Sequence, residues 1–194
     1  MLFACSKPPL SEIEQLEKSA NEGDASAQTK LGYRYAKAAE LFQKAAAQGD
    51  SQAQCNLGGM YENGLGVPKD ETKAAEWYEK AAAQGLSKAQ NNLGGMYENG
   101  HGVPKDETKA AEWFQKAASQ GFSKAQWNLA TMYEEGLGVP KDYVRAYAWF
   151  NLAAASGDGE IKKGRDAIEK LLTVEQKAAG QKLSSDLFAK MPKE

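Results

Sequence analysis

A repeat of 36 residues constrains the fold of this chain more than any other feature of its sequence. The segment Ser51 to Leu86 recurs as Ser87 to Phe122, and it recurs again, with more substitutions, as Ser123 to Asp158. Repeats of this length are typical of helical arrays, in which each unit buries its apolar face by stacking against its neighbours. The sequence therefore predicts an all-α protein, a solenoid of helix-loop-helix units.

Each unit contains a leading helix, a glycine loop and a trailing helix. Apolar residues at helical spacing mark the buried faces of both helices. In the unit that starts at Ser51 these residues are Ala53, Leu57, Met60 and Tyr61, then Ala74, Trp77, Tyr78 and Ala81. The loop at residues 63–68 contains two glycines and a proline, which interrupt the helix. We expect its valine to point inward, together with the equivalent valines of the other loops: Val67, Val103 and Val139.

The helix ends have recognisable signals. Three Ser and Gln pairs have the spacing of capping boxes at the start of the leading helices: Ser51 and Gln54, Ser87 and Gln90, Ser123 and Gln126. Three aspartates are predicted to cap the trailing helices: Asp70, Asp106 and Asp142. Glycines at positions 85, 121 and 157 are expected to stop the trailing helices in the left-handed conformation. Leu86 and Phe122 follow two of these glycines at the position of a Schellman contact.

The motif A-Q-x-N-L-G-x-M-Y-x-x-G-x-G-V-x-x-D-x-x-K-A-x-x-W-[YF]-x-K-A-A-x-x-G resembles that of the Sel-one-like repeat (SLR) family, which is related to the tetratricopeptide repeat. The match covers Asp24 to Asp158. The resemblance implies a right-handed α-α superhelix that serves as a protein-interaction scaffold, often in bacterial envelope, signalling or host-contact proteins. A cysteine-rich subgroup carries one disulfide in every repeat, and some of its members resemble penicillin-binding enzymes. This chain lacks those cysteine pairs.

The sequence divides into a tail (residues 1–10), an N-terminal capping helix (11–23), the repeat array (24–158) and C-terminal capping helices (159–194). The array comprises a shortened repeat at 24–50 and full repeats at 51–86, 87–122 and 123–158. Ser11 and Glu14 form a predicted capping box, and Ile13, Leu16 and Ala20 should face inward from that helix. In the C-terminal region we expect one helix with Ile161, Ile168, Leu171 and Leu172. A second, capped by Thr173 and Gln176, would carry Ala178, Leu183, Leu187 and Phe188.

Two faces depart from the regular repeat. Val144, Tyr147, Ala148 and Leu152 make the outer side of the last trailing helix apolar, so the closing helices should cover it. The first repeat lacks its loop, because the distance from Leu31 to Leu57 is ten residues shorter than the period. This deletion predicts one helix from Ala25 to Gln48 with a continuous apolar stripe. An exposed stripe would favour a homodimer or helix exchange between chains; the alternatives are a kinked hairpin, or coverage by the N-terminal helix.

Composition excludes several classes of function. The chain has 24 Lys and Arg, 26 Asp and Glu and a net charge of −2, so it has no basic surface for nucleic acid. Its two cysteines and one histidine show no metal-ligand spacing, and no cofactor or metal is expected. Catalysis would have to use His101, a loop residue where the neighbouring repeats have leucine, and we interpret it as a tolerated substitution. The remaining thiol, Cys55, is expected to be inert.

A binding face is predicted from the helical wheel. At about 100° per residue, four positions of each leading helix lie opposite its buried leucine. In the first full repeat they are Gln52, Cys55, Gly59 and Glu62. In the second they are Lys88, Asn91, Gly95 and Glu98, and in the third Lys124, Trp127, Thr131 and Glu134. Asn56, Asn92 and Asn128 lie beside them. The resemblance implies that this face lines a concave groove, where Trp127 would anchor a ligand; the alternative is that Trp127 only fills the seam between repeats.

The first residues suggest a location. Leu2, Ala4 and Cys5 resemble the end of a bacterial lipoprotein signal, although the charged start and most of the apolar stretch are missing. Either the start is truncated or the match is accidental. We expect lipid on Cys5 and a location in the bacterial envelope or periplasm, as an outer-membrane lipoprotein, with the cytoplasm as the alternative. Any membrane association would depend on that anchor.

The leading hypothesis for function is a non-enzymatic scaffold that binds a protein or peptide on its concave face. A structural spacer or dimerisation hub is the alternative. A hydrolase or penicillin-binding activity has only the cysteine-rich relatives in its favour, because the sequence contains no nucleophile with an adjacent base.

Overall fold

The computed structural model describes residues 12–192, and all regular secondary structure in that range is helical. The ten helices are α1 (Glu12–Asn21), α2 (Ala25–Ala47), α3 (Ser51–Asn63), α4 (Glu71–Ala83), α5 (Ser87–Asn99), α6 (Glu107–Ser119), α7 (Ser123–Glu135), α8 (Tyr143–Ala154), α9 (Gly159–Glu169) and α10 (Val174–Ala189). Helices α3 to α8 form three hairpins, one for each full repeat. The lipid attachment predicted at Cys5 and the capping residue Ser11 lie outside the described residues.

In the first two full hairpins an aromatic ring of the trailing helix packs on a glycine of the leading helix. A Cβ atom at Gly58 would stand 2.7 Å from the ring of Tyr78, and one at Gly94 would stand 2.7 Å from the ring of Phe114. The aromatic rings are almost completely buried, and so is the leucine that precedes each glycine. The third hairpin has Ala130 where the others have glycine. The absence of a side chain at Gly58 and Gly94 thus lets the two helices of a hairpin approach closely.

The predicted helix ends are confirmed where aspartate and glycine are concerned. The Asp70 carboxylate accepts a hydrogen bond from the backbone N–H of Lys73 at 3.0 Å, and Asp106 and Asp142 cap their helices in the same way. Gly85 has a φ of 90°, and the Leu86 N–H donates to the Ala81 carbonyl, which completes a Schellman motif. The loop valines are half-buried. Val103 and Val139 pack against the core.

The predicted capping boxes of the leading helices are wrong. Asp50 caps α3, while α5 and α7 follow Leu86 and Phe122 and have no side-chain cap. The glutamines instead turn back across the junction between repeats: Gln54 Nε2 donates to the Ala46 carbonyl at 3.2 Å, with equivalent bonds from Gln90 and Gln126. They are buried at this junction with the preceding unit. The glutamine that the sequence assigns to a helix cap therefore fastens one repeat to the next.

The shortened repeat forms one continuous helix, as predicted. Helix α2 runs from Ala25 to Ala47, and Asp24 caps its start. Helix α1 packs against its N-terminal half, and Gln28 Nε2 donates to the Ala20 carbonyl at 3.0 Å. This bond has the same form as those at the repeat junctions, so α1 occupies the position of a trailing helix from a preceding unit. Leu16 and Ala20 are half-buried there, but the inward placement of Ile13 is wrong, because half of its surface is exposed.

The C-terminal helices cover the outer side of α8. Tyr147 and Ala148 are buried beneath α9 and α10, and a Cβ atom at Gly180 of α10 would stand 2.7 Å from the Tyr147 ring. Thr173 and Gln176 form the predicted capping box. Leu171 and Leu172 are in the turn after α9 rather than within the helix. Phe188 lies on the outer face of α10 and is 70% exposed.

Candidate protein-binding groove

A polar cleft of about 330 Å³ crosses the leading helices α3, α5 and α7. We call it the leading-helix groove. Its lining residues are Glu62, Asn91, Asn92, Gly95, Met96, Asn99, His101, Lys124 and Asn128. The structure therefore brings together several residues that the helical wheel selects as a binding face. Lys88, also on that face, is exposed on α5.

Amide side chains form the floor of the groove. Asn128 Nδ2 donates to Asn91 Oδ1 at 3.0 Å, and Asn91 Nδ2 contacts Asn92 Oδ1 at 3.5 Å. The first of these bonds connects the second and third full repeats, and the two contacts together hold the amide planes in place. The outermost group, the Asn92 amide, is half-buried at the surface of the cleft. Fixed amide groups of this kind can donate to and accept from a peptide main chain without first losing their own conformational freedom.

The predicted outward direction is wrong for two positions. Cys55 is 2% exposed and Asn91 is 5% exposed. A helix wheel assumes one buried side, but each leading helix also packs against the next unit, and these positions point toward it. Cys55 lies in a cluster with Ala89 and Leu93. Burial raises the pKa of its thiol, which leaves the sulfur protonated and unreactive at neutral pH.

Trp127 occupies the same repeat position as Cys55 and Asn91 but remains 39% exposed. It lines a second cleft of about 390 Å³, together with Ser123, Lys124, Ser156, Asp158, Glu160 and Ile161. This cleft lies at the seam between α7 and the start of α9. Lys124 borders both clefts, so the indole and the asparagine floor are neighbouring parts of one surface.

The depth of the groove depends on small residues. A Cβ atom at Gly95 would meet nothing within 4 Å, whereas one at Gly59 would stand 3.3 Å from the Tyr78 hydroxyl. The third repeat has the half-buried Thr131 at this position, and its hydroxyl donates to the Trp127 carbonyl at 3.2 Å. The groove therefore has open space above Gly95.

Glu62 is the carboxylate among the lining residues of the groove, and the helical wheel did not reveal how it is held. Tyr78 reaches through its hairpin and donates its hydroxyl hydrogen to Glu62 at 2.6 Å. Burial raises the pKa of Tyr78, and the adjacent carboxylate raises it further. The equivalent trailing-helix residue in the next repeat is Phe114, which has no hydroxyl. There burial and the charge of Glu135 raise the pKa of Glu98.

His101 also lines the groove, which its interpretation as a tolerated loop substitution did not anticipate. It is exposed, and its backbone N–H donates to the Met96 carbonyl at 3.0 Å, as the Leu137 N–H donates to Met132. Between residues 12 and 192, no group of three His, Cys, Asp or Glu side chains could hold a metal ion. None of the helices in this part of the chain is both long enough and apolar enough to cross a membrane.

A family model of the Sel1 repeat matches residues 25–50, 51–86, 87–122 and 123–158. The chain belongs to the Sel1 repeat family. Sel1 repeat proteins are right-handed helical solenoids that commonly serve as protein-interaction scaffolds and are generally not enzymes. The match includes the shortened first unit, in which the loop is missing.

Solved structures of Sel1 repeat proteins share this architecture. A protective antigen present in uropathogenic Escherichia coli strains, which displays an SLR fold, is 41% identical over 95% of this chain, with a TM-score of 0.75. A Sel1 repeat protein from Oxalobacter formigenes is 35% identical over 78% of this chain, with a TM-score of 0.59. The chain spans 42% and 58% of the lengths of these two proteins.

The Helicobacter pylori cysteine rich protein B is 22% identical over 79% of this chain and 96% of its own length. Its TM-score of 0.50 indicates a shared fold only. No match is found among curated protein sequences.

Proposed function

We propose that this protein is a non-enzymatic scaffold that binds an extended segment of a partner protein in the leading-helix groove. The observation that carries the proposal is the continuous surface formed by the asparagine floor, the open space above Gly95 and the partly exposed Trp127. A flat apolar patch would suit a folded partner, but a narrow cleft lined by amides suits a main chain that needs hydrogen-bond partners.

The two parts of this surface would have different tasks. Asn92 and Asn128 hold the ligand main chain, while Lys88 and Lys124 interact with its carboxylates. Trp127 contacts an apolar side chain, and aromatic anchors of this kind commonly contribute much of the binding energy. Glu98 of α5 and Thr131 of α7 lie on the same helix faces and border the ligand. Gly95 leaves room for the ligand backbone. Gly59 lies outside the groove, in a separate cleft between α2 and α3.

A selection from a random peptide library, using the folded chain as bait, provides the ligand for a test. We expect Trp127→Ala to weaken the binding of the selected peptides by about 2 kcal/mol, because the peptide loses its apolar contact with the indole. The melting temperature of the protein should stay unchanged. Isothermal titration calorimetry measures the first quantity and circular dichroism the second. Phe188→Ala is the matched control, since Phe188 is another exposed aromatic residue, on the outer face of α10.

Gly95→Trp gives an independent test, because an indole at this position fills the open space above Gly95 in the groove. The selected peptides should no longer bind this variant. Peptides that bind Gly95→Trp and Trp127→Ala as tightly as the original chain would contradict the proposal.

We further propose that the scaffold acts in the bacterial envelope or periplasm, tethered by lipid on Cys5, with the cytoplasm as the alternative. The lipoprotein-like residues at the start of the sequence support this location. The description of the E. coli relative as a protective antigen is compatible with it. Metabolic labelling of the full gene product with an acyl-chain probe tests the tether: label on the wild type that disappears in Cys5→Ser is expected. Absence of label would exclude the lipid anchor.

A further inference from the structure

In the first unit of the array, the leading-helix and trailing-helix segments do not pack against each other as they do in the full repeats. Residues 26–35 have the sequence of a leading helix and residues 37–49 that of a trailing helix, but α2 joins them end to end. In the full repeats these two segments form a hairpin. There the end of the leading helix contacts the start of the trailing helix, as in the bond from the Asp70 N–H to the Tyr61 carbonyl at 2.9 Å. The straight path of α2 keeps its two halves apart.

Several residues that would form the missing interface are less buried than their equivalents in the full repeats. Gly32 corresponds to Gly58 and Gly94, which each contact an aromatic ring, but a Cβ atom at Gly32 would meet nothing within 4 Å. Phe42 corresponds to Tyr78 and Phe114, which are at most 1% exposed, yet Phe42 is only half-buried. Leu31 likewise corresponds to leucines that are at most 1% exposed in the full repeats, and it too is half-buried.

The position of the absent neighbour remains open beside α3. A cleft of about 440 Å³ lies between α2 and α3. It is lined by Tyr35, Ala38, Phe42, Asn56, Gly59, Met60, Asn63 and Leu65. In the next units the residues equivalent to Asn56 and Gly59 are Asn92 and Gly95, which lie in the groove shared with the preceding leading helix. The cleft thus lies at the position that the preceding leading helix occupies in the full repeats.

We propose that a second copy of this chain fills the cleft, and that two chains exchange the N-terminal halves of α2 to form a symmetric dimer. Residues 26–35 are the segment of the chain that carries the leading-helix sequence, and the missing loop prevents them from folding back onto their own trailing half. In the dimer the two α2 helices run antiparallel. The interface continues the hairpin packing that occurs three times in the array.

The sequence of α2 fits a two-fold axis at its centre. Its apolar stripe places Ala27 opposite Ala45 of the other copy, Leu31 opposite its Phe42, and Tyr35 opposite its Ala38. Ala27 is already buried within one chain, and the Tyr35 hydroxyl donates to Glu17 of α1 at 2.8 Å, so the pair of Leu31 and Phe42 gains most from the contact. The two residue numbers of each pair average about 36, so a single two-fold rotation about the middle of α2 relates all three pairs. Each Gly32 then lies beside the Phe42 ring of the other copy, in the arrangement seen between Gly94 and Phe114. Reciprocal contacts of this kind define an isologous interface.

The dimer is independent of peptide binding in the leading-helix groove, and its test uses the full chain alone. Sedimentation equilibrium should give twice the chain mass of 21.0 kDa. Gly32→Ala should raise the dimer dissociation constant about a hundredfold, because an added methyl group overpacks each of two equivalent sites at a cost of about tenfold per site. Gly95→Ala is the matched control, since its Cβ atom also meets nothing within 4 Å in a single chain, and it should leave the constant unchanged.

A second variant restores the missing loop. Insertion of a copy of residues 62–71 between Tyr35 and Ala36 gives the first unit the length of a full repeat, and the protein should become a monomer. A wild-type chain that stays monomeric at the highest soluble concentration would overturn the proposal. So would a dimer whose dissociation constant is the same in Gly32→Ala, or one that persists after the insertion.

Discussion

At the scale of single residues, the position that distinguishes the repeats most clearly is the aromatic residue at the centre of each trailing helix. Tyr78 and Phe114 contact the same backbone feature, a helix glycine, but Tyr78 also reaches the groove and hydrogen-bonds Glu62. One hydroxyl group thereby gives the first full repeat an ordered carboxylate that the second repeat lacks. The identity of this buried trailing-helix residue thus influences the chemistry of the groove on the other side of the leading helix.

Two reciprocal substitutions test this link. Tyr78→Phe should lower the free energy of unfolding by about 1 kcal/mol, because Glu62 loses its donor in a partly buried position. Phe114→Tyr should supply the same donor to Glu98, with its hydroxyl in the open space beside Gly95, and should not destabilise the chain. Urea denaturation measures both free energies. Equal stability of Tyr78→Phe and the wild type would show that the bond between Tyr78 and Glu62 contributes nothing.

At the scale of the elements, most helices could be predicted because their signals lie within a few residues of each boundary. The aspartate caps and the glycine stops satisfy backbone groups of their own helix, so a local pattern is sufficient to identify them. Gln54 and its equivalents have the local pattern of a capping box, yet they bond to the preceding unit. Only the stacked neighbour decides between these two uses, and a single helix does not contain that information.

The caps give the element-scale prediction. Asp106→Ala should lower the free energy of unfolding by about 1 kcal/mol, since the backbone N–H of Lys109 loses its acceptor. Asp106→Asn should retain most of the stability, because an amide oxygen can still accept that bond. Lys109→Ala is the control: it removes the ion pair with Asp106 but keeps the cap. Thermal denaturation monitored by circular dichroism separates the three, and an unchanged midpoint for Asp106→Ala would contradict a capping role.

At the scale of the whole molecule, the repeat period determines the architecture, and α9 and α10 cover the outer face of the last full repeat. The sequence predicts the cover over α8 from its apolar outer face, and Tyr147 is indeed buried there. The composition of the groove was harder to predict. Asn91 and Trp127 share one repeat position, but one is buried against a neighbouring leading helix and the other borders a looser contact with α9. Such differences depend on what each unit packs against.

The C-terminal cover provides the prediction at this scale. Gly180→Ala should lower the free energy of unfolding by about 1 to 3 kcal/mol, because the new methyl group would overlap the Tyr147 ring and push α10 away from α8. Gly159→Ala is the matched control, as its Cβ atom meets nothing within 4 Å. Equilibrium urea unfolding measures the difference. If both variants have the stability of the wild type, α10 does not depend on close contact at Gly180.

The glutamine bonds at the junctions have a consequence for how such a protein changes over evolutionary time. Gln54 bonds the Ala46 carbonyl and also accepts a bond from Gln84 at the end of its own hairpin, and Gln90 repeats this pattern with Ala82 and Gln120. Because successive junctions are chemically alike, duplication or loss of one 36-residue unit leaves every buried glutamine with a partner. Gain or loss of a whole unit therefore needs no compensating substitution at these junctions, whereas a deletion that is not a whole unit, such as the one within α2, changes the path of the chain.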